Sequence, residues 1–149
     1  MMTSHAISAV LAEKGSDVLT VSPQTRVFDA LVIMAQADVG ALVVVEDGRP
    51  VGMFSERDYA RKVILHGKAS KQIEIREVMT QPIRTISPRD TVEDCMALMT
   101  VRRIRHLPVL ENDRLIGIVS IGDMVKWTLS AQEDTIHELE NYISGKYPA

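Results

Sequence analysis

One cysteine, no apolar run approaching a membrane span and no excess of basic charge: these absences narrow the field before any motif is read. The lone Cys95 cannot close an internal disulfide, and it falls on the apolar face of a predicted helix, where a thiol serves as a small buried hydrophobe rather than a nucleophile. The longest apolar runs, such as Gly40 to Val45, are far shorter than the roughly 20 residues a spanning helix needs. The opening Met-Met-Thr-Ser-His lacks a basic segment followed by an apolar one, so the expected compartment is the cytoplasm. A formal charge of -3 gives no whole-molecule field to draw in a polyanion, which disfavours nucleic acid as a partner.

Catalytic signatures are missing too. The four histidines, His5, His66, His106 and His137, form no pair at metal-ligand spacing. There is no Gly-x-Ser-x-Gly elbow, no Walker loop and no Gly-x-Gly-x-x-Gly fingerprint. The expectation is a chain without enzymatic activity.

What is present is a duplication. Shifting the register by 65 residues lays Thr20 to Tyr59 on Thr85 to Met124 without a gap, with about a third of positions identical. Ser22-Pro23 falls on Ser87-Pro88, and the stripe Val27, Ala30, Leu31, Met34 on Val92, Cys95, Met96, Met99. Such i, i+3, i+4, i+7 spacing marks a core-facing helix, which Gly40 is expected to close in the first copy. Val18 to Val21 and Ala41 to Val45 read as strands, and the Asp47-Gly48 pair as a hairpin turn into Pro50 to Phe54. Each copy then runs through Gly52-Met-Phe-Ser55-Glu-Arg-Asp58 or Gly117-Ile-Val-Ser120-Ile-Gly-Asp123 into a helix. A Ser-x-x-Asp box caps a helix start, and the exposed amides there can receive an anion.

Outside the repeat, Ile7, Val10 and Leu11 mark a short lead-in helix ended by Gly15, echoed by Ile75, Val78 and Met79. A polar linker, Lys68 to Arg76, joins the copies. Beyond the second copy, Ser130-Ala-Gln-Glu133 reads as a new capping box, followed by Ile136, Leu139 and Ile143 on one helical face, with Gly145 and Pro148 ending the helix. The organisation expected is therefore a first unit over 7–68, a second over 75–129 and an amphipathic helix over 130–146. Arg102-Arg103-Ile104-Arg105-His106 forms a local basic cluster leading into the strand from Leu107 to Leu110. Arg102 and Arg103 suit a helix C-terminus, whereas Arg105 and His106 replace Gly40 and Ala41 of the first copy and are not required by the repeat's packing.

The doubled strand, helix, strand, strand, helix order, with its closing Gly-apolar-apolar-Ser-x-x-Asp and the Arg105-His-Leu-Pro-Val109 stretch, resembles the CBS domain. The resemblance reaches to about Leu129 and is that of a tandem pair, or Bateman module. It implies an α/β fold of two β-α-β-β-α repeats about a pseudo-two-fold axis, and a homodimer that regulates a separate protein. It also implies ligands of the adenosine class: AMP foremost, then ADP, ATP, and sometimes NAD or S-adenosylmethionine. By the same resemblance, Asp58 and Asp123 accept ribose hydroxyls, and Ser55 and Ser120 contact ribose or phosphate. Adenine falls by Leu19, Thr20, Thr85 and Ile86, and phosphates by Arg57, Arg105 or His106. The alternative reading is an interaction scaffold with empty clefts, docking a partner through its C-terminal helix.

Overall fold

A computed structural model of the chain describes residues 5–15 and 17–143. In order it holds α1 (Ile7–Lys14), β1 (Thr20–Val21), α2 (Val27–Ala37), β2 (Ala41–Glu46), β3 (Arg49–Ser55), α3 (Glu56–Asp58), α4 (Val92–Arg102), β4 (His106–Glu111), β5 (Arg114–Ser120) and α5 (Ile121–Ile143). The fold is the mixed α/β arrangement of two repeats that the duplication predicts.

In the first repeat β1 runs parallel to β2, which pairs antiparallel with β3. The second repeat keeps the antiparallel pair β4-β5, but its first strand shrinks to a single parallel bridge from Ile86 to Val109. Both hairpins turn over two residues held at positive φ, Asp47-Gly48 and Asn112-Asp113, the geometry that matches the strands' right-handed twist. The branched run Leu42, Val43 and Val44 is fully buried, as its continuous apolar character implies.

The helical stripes behave as their spacing requires: Val27, Ala30 and Met34 are buried in α2, and Val92, Cys95 and Met99 in α4. Gly40, however, does not close α2. The chain leaves the helix at Asp38, in the left-handed conformation, and Arg103 does the same at the matching place after α4. An aspartate tolerates that region because its short polar side chain can bond locally; the arginine is held there by tertiary contacts described below. The helix after Ser55 also departs from expectation, since after the one turn of α3 it widens into a π-helix over Tyr59–Ile64. The predicted lead-in helix of the second copy is a short 3-10 turn, Ile75–Glu77.

The largest departure is at the end of the chain. Ser130 starts no new helix: α5 passes through it unbroken for 23 residues. The Ser-Ala-Gln-Glu pattern is overruled because the preceding residues are already helical, so no orphan amides await a cap. The expected end of that helix, at 144–146, lies outside the described residues.

Two cores form, and the lead-ins are exchanged between them. Ile7, Val10 and Leu11 pack with Leu107, Val109, Val119 and Met124 of the second repeat. Ile75 and Val78 pack with Val27, Leu42, Phe54 and Val63 of the first. Two glycines permit the exchange. A Cβ on Gly117 would stand 2.6 Å from Leu11 Cδ2, and one on Gly52 would stand 2.8 Å from Met79 Sδ and 3.0 Å from the Thr80 carbonyl oxygen. Each repeat is therefore closed by a segment attached to the other, and neither core is complete on its own contiguous chain.

Candidate functional site

Backbone hydrogen bonds place the two Ser-x-x-Asp boxes against the openings of the central hairpins. Glu56 N–H donates to the Gly40 carbonyl at 3.1 Å, and in the second copy Ile121 N–H donates to that of Arg105 at 2.8 Å. Both boxes are closed caps. Ser55 N–H donates to Asp58 Oδ2 at 2.9 Å while Asp58 N–H donates to Ser55 Oγ, and Ser120 and Asp123 repeat the exchange at 2.8 and 3.1 Å. The caps are alike; their surroundings are not.

A cavity of about 1350 Å³ opens on the first box, between the repeats. Ser55, Arg57, Arg105 and His106 all line it, so the structure brings these four predicted residues to one place. Four more arginines join them: Arg61, Arg84, Arg102 and Arg103. Six arginines thus line one cleft whose single acidic lining residue is Glu56. Arg57 spans the seam, donating from Nη1 to the Arg103 carbonyl at 2.9 Å, which helps hold Arg103 in its left-handed turn. Apolar lining comes from Met53, Pro82, Ile83, Ile104 and Ile121.

Asp58 stands just behind this wall, its side chain only 9% exposed. Its Oδ1 accepts from Thr80 Oγ1 at 2.9 Å and pairs with Lys62 Nζ at 3.0 Å. Its Oδ2 accepts from both the amide and the hydroxyl of Ser55. A buried carboxylate needs such compensation, because an unpaired one would cost several kcal/mol. Thr80, which also lines the cleft, is tied down by reciprocal backbone bonds with Met53 of 2.7 and 3.1 Å.

Around Asp123 a lysine does the work of that threonine. Lys14 Nζ donates to the carbonyl of Ile118, the counterpart of Met53, at 2.8 Å, and forms an ion pair with Asp123 Oδ2. Burial alone would raise the Asp123 pKa, but the bonds from Lys14 and the Ser120 amide, with the Lys14 charge, outweigh it and hold the carboxyl below its ordinary value. The adjoining crevice measures about 230 Å³ and is lined by Val10, Glu13, Lys14, Asp123, Lys126, Trp127 and Ser130. Ligand sites usually run about 300 to 1,000 Å³, so this crevice is small for a nucleotide while the first is ample.

The remaining predicted residues lie elsewhere. Leu19, Thr20 and Thr85 are exposed, Ile86 is buried in the second core, and none of these, nor Ser120, lines either cavity. The segment Thr80 to Arg84, a few residues before Thr85, is the stretch that reaches the large cleft. Sequence reasoning passed over Thr80, Arg84, Arg61 and Lys14 because each lies outside the motifs that mark the repeat. For Thr80, Arg84 and Lys14 the signal is a basic or hydroxyl side chain on or beside a lead-in, visible only once the lead-ins are known to cross; Arg61 sits in the first repeat's own helix, three residues past Asp58.

His106 lines the large cleft within reach of the charges of Lys14 and Asp123. Its ring approaches Gly40, whose missing side chain leaves it room, and burial followed by the charge of Lys14 pushes its pKa below the ordinary value, with Arg105 adding to the effect and Asp123 and Glu56 opposing it. Cys95 is a packing residue, its thiol pushed up to about 11 by burial and by Asp90 and Asp94. No group of three metal-ligating side chains occurs among the described residues, and no helix among them is long and apolar enough to cross a membrane.

Comparison with known proteins fits this architecture. The chain is 39% identical over 153 aligned positions to the mitochondrial CBS domain-containing protein CBSX3 of Arabidopsis thaliana, covering 97% of this chain and 74% of that one. That relative's compartment differs from the cytoplasm expected here. A solved protein with CBS domains from Burkholderia ambifaria superposes with a TM-score of 0.80 at 42% identity, over 86% of this chain and 95% of its own. At 22% identity, where likeness concerns the fold alone, the CBS pair of protein MJ0100, solved with 5′-methylthioadenosine and S-adenosyl-L-methionine, superposes with a TM-score of 0.76 over 86% of this chain and 98% of its own. The CBS-domain family model matches residues 7–64 and 75–130, so with its two exchanged cores and paired helix-start boxes this chain belongs to the CBS-domain family as a tandem pair of the regulatory, ligand-binding kind.

Proposed function

We infer that the chain is a non-catalytic sensor of adenosine nucleotides with its principal site in the arginine-lined cleft beside Asp58. The observation that carries this reading is the convergence of six arginines, a capped helix start and an apolar wall on one cavity large enough for a nucleotide. The ribose diol would replace the Thr80 hydroxyl on Asp58 Oδ1, leaving Oδ2 in its cap. A hydroxyl exchanging one partner for another loses little, so the preformed carboxylate costs no reorganisation of the helix start. Adenine would lie against Met53 and Ile83, reading the backbone from Thr80 to Arg84, and the phosphates would lie among Arg57, Arg105 and the α4 arginines.

The count of arginines bears on which nucleotide. AMP is the smallest ligand that meets Asp58 and one or two guanidiniums together. ADP and ATP carry more phosphate oxygens to the rest, and charge-assisted bonds of this kind are the strong ones, so affinity should rise along AMP, ADP, ATP. NAD, with a diphosphate bridge, is the next candidate. S-adenosyl-L-methionine carries a sulfonium, an ammonium and one carboxylate but no phosphate, and leaves most of the arginines uncompensated.

Signalling requires that the nucleotide favour one arrangement of the repeats over another, by about 1 to 3 kcal/mol for useful regulation. The Arg57 to Arg103 carbonyl bond is the contact a phosphate would contest, since it joins the repeats across the cleft. The cytoplasm is the compartment in which such a sensor would meet its nucleotides. Titration calorimetry with AMP, ADP and ATP tests the reading: saturable heat in that order of affinity supports it, and no heat from any of the three at millimolar concentration removes it.

A further inference from the structure

Among the residues lining the arginine-rich cleft, His106 is the one whose charge changes near neutral pH; the arginines stay charged throughout. Its ring is half-buried at the start of β4 and stands against Gly40. A Cβ there would lie 3.7 Å from both Cε1 and Nε2 of the imidazole and 3.9 Å from the Glu56 carboxyl carbon. Nε2 and the Glu56 carboxylate therefore border the same small space in the cleft wall. Four charges face the ring from the elements around it: Lys14 of α1, Asp123 of α5, Glu56 of α3 and the adjacent Arg105. Two are positive and two negative, so they largely offset one another, and burial tips the imidazole toward its neutral form.

The cleft as a whole is not balanced. Ion pairs among the described residues join Lys14 to Asp123, Lys62 to Asp58 and Arg76 to Glu74, and none includes any of the six lining arginines. A ligand that brings phosphates to those arginines also brings negative charge beside His106, and an opposite charge within about 4 to 6 Å favours the imidazolium. We propose that nucleotide binding in this cleft is coupled to proton uptake by His106, so that the sensor responds to pH as well as to nucleotide. The inference rests on the nucleotide reading of the cleft and adds the regulation of that site. As the phosphates settle among Arg57 and Arg105, the ring takes a proton from solvent and an imidazolium N–H donates to a phosphate oxygen, a charge-assisted bond. Binding of this kind strengthens as pH falls, by at most about tenfold per pH unit for one proton. The phosphate itself pushes the other way. Its second ionisation lies near pH ~6, and arginines favour the dianion, so a phosphate alone would release a proton and bind less well in acid. The direction of proton movement separates the two.

The test is titration calorimetry of the full chain with ATP, free of divalent metal, from pH 8 to 6, and at pH 7 in buffers of different ionisation enthalpy. Net proton uptake is expected at pH 7, with affinity rising about three- to tenfold across the range. His106→Gln should bind ATP more weakly at pH 6 and show no uptake. In parallel, the His106 ring resonances of the wild type, assigned through the backbone, should titrate at higher pH with saturating ATP than without it. That arm holds even where the glutamine variant fails to fold. ATP that binds with no proton exchange or with net release overturns the coupling while leaving the nucleotide site standing. So does a His106 titration that ATP does not move, or uptake that survives in His106→Gln. No binding of ATP at any pH removes both.

Discussion

Asp58 and Asp123 occupy the same place in two copies of one motif, yet they meet different surroundings. Both close a serine cap through Oδ2. Asp58 is partnered by a threonine hydroxyl at the rim of a wide basic cleft, while Asp123 is gripped by the Lys14 ammonium beside a narrow crevice. The difference originates outside the repeat, in which lead-in segment crosses to which unit. A duplication can therefore preserve the helix-start chemistry while the exchanged segments decide which copy is open to a ligand.

The sharpest way to break that comparison is to remove each acid in turn. Asp58→Ala should lower nucleotide affinity at least tenfold and, by stripping a buried cap and two further hydrogen bonds, cost about 2 kcal/mol of stability. Asp123→Ala should leave the affinity of the arginine-lined cleft within a few-fold. Equal losses in calorimetric titrations of the two variants would erase the distinction drawn here.

The glycines give the next contrast, measured by urea denaturation. Overpacking costs typically about 1 to 3 kcal/mol. Gly52→Ala should fall at the upper end, because the new methyl meets the Thr80 backbone as well as Met79, whereas Gly117→Ala meets only the side chain of Leu11. A larger loss at Gly117 would mean that the second seam is the tighter one.

Lys14→Ala is a smaller perturbation. The pair is partly exposed, so its loss should cost no more than about 1 kcal/mol. Its signature is instead the Asp123 carboxyl, whose pKa should move up in an NMR titration once the ammonium is gone. A carboxyl that stays depressed would assign the shift to the Ser120 amide alone.

The pH dependence should be gentlest. Because burial and Lys14 hold His106 below its ordinary pKa, the unfolded chain takes up the proton first as pH falls. The stability this neutral imidazole contributes is fully present above the ordinary value of about 6.5 and is lost as pH falls through the lowered folded value. Asp123 acts further down: its contribution persists above the ordinary carboxylate range and disappears as pH falls through its depressed value. Thermal melts from pH 7.5 to 5 should decline with a slope that His106→Gln flattens.

The repeat, its hairpins and its helical stripes were legible in the sequence because period and turn chemistry are local properties, as at Asp47-Gly48 and the Val27 stripe. Ser55, Arg57, Arg105 and His106 are named together by the family resemblance and not by local pattern, since the register of the duplication sets Gly40 against the Ser55 box and Arg105 against the Ser120 box. Lys14, Thr80 and Arg84 were not legible, since their part in the site depends on segments crossing between the units. The false start at Ser130 arose because a capping box is indistinguishable from the same residues inside a helix already under way.

The decisive measurement is the number of ATP molecules bound per chain in wild-type protein and in Asp58→Ala, counted by native mass spectrometry. One adenylate on the wild type and none at the same concentration on the folded variant is the outcome expected of an open site at Asp58 and a lysine-filled one at Asp123. Undiminished binding after the loss of Asp58 would show that the nucleotide sits elsewhere.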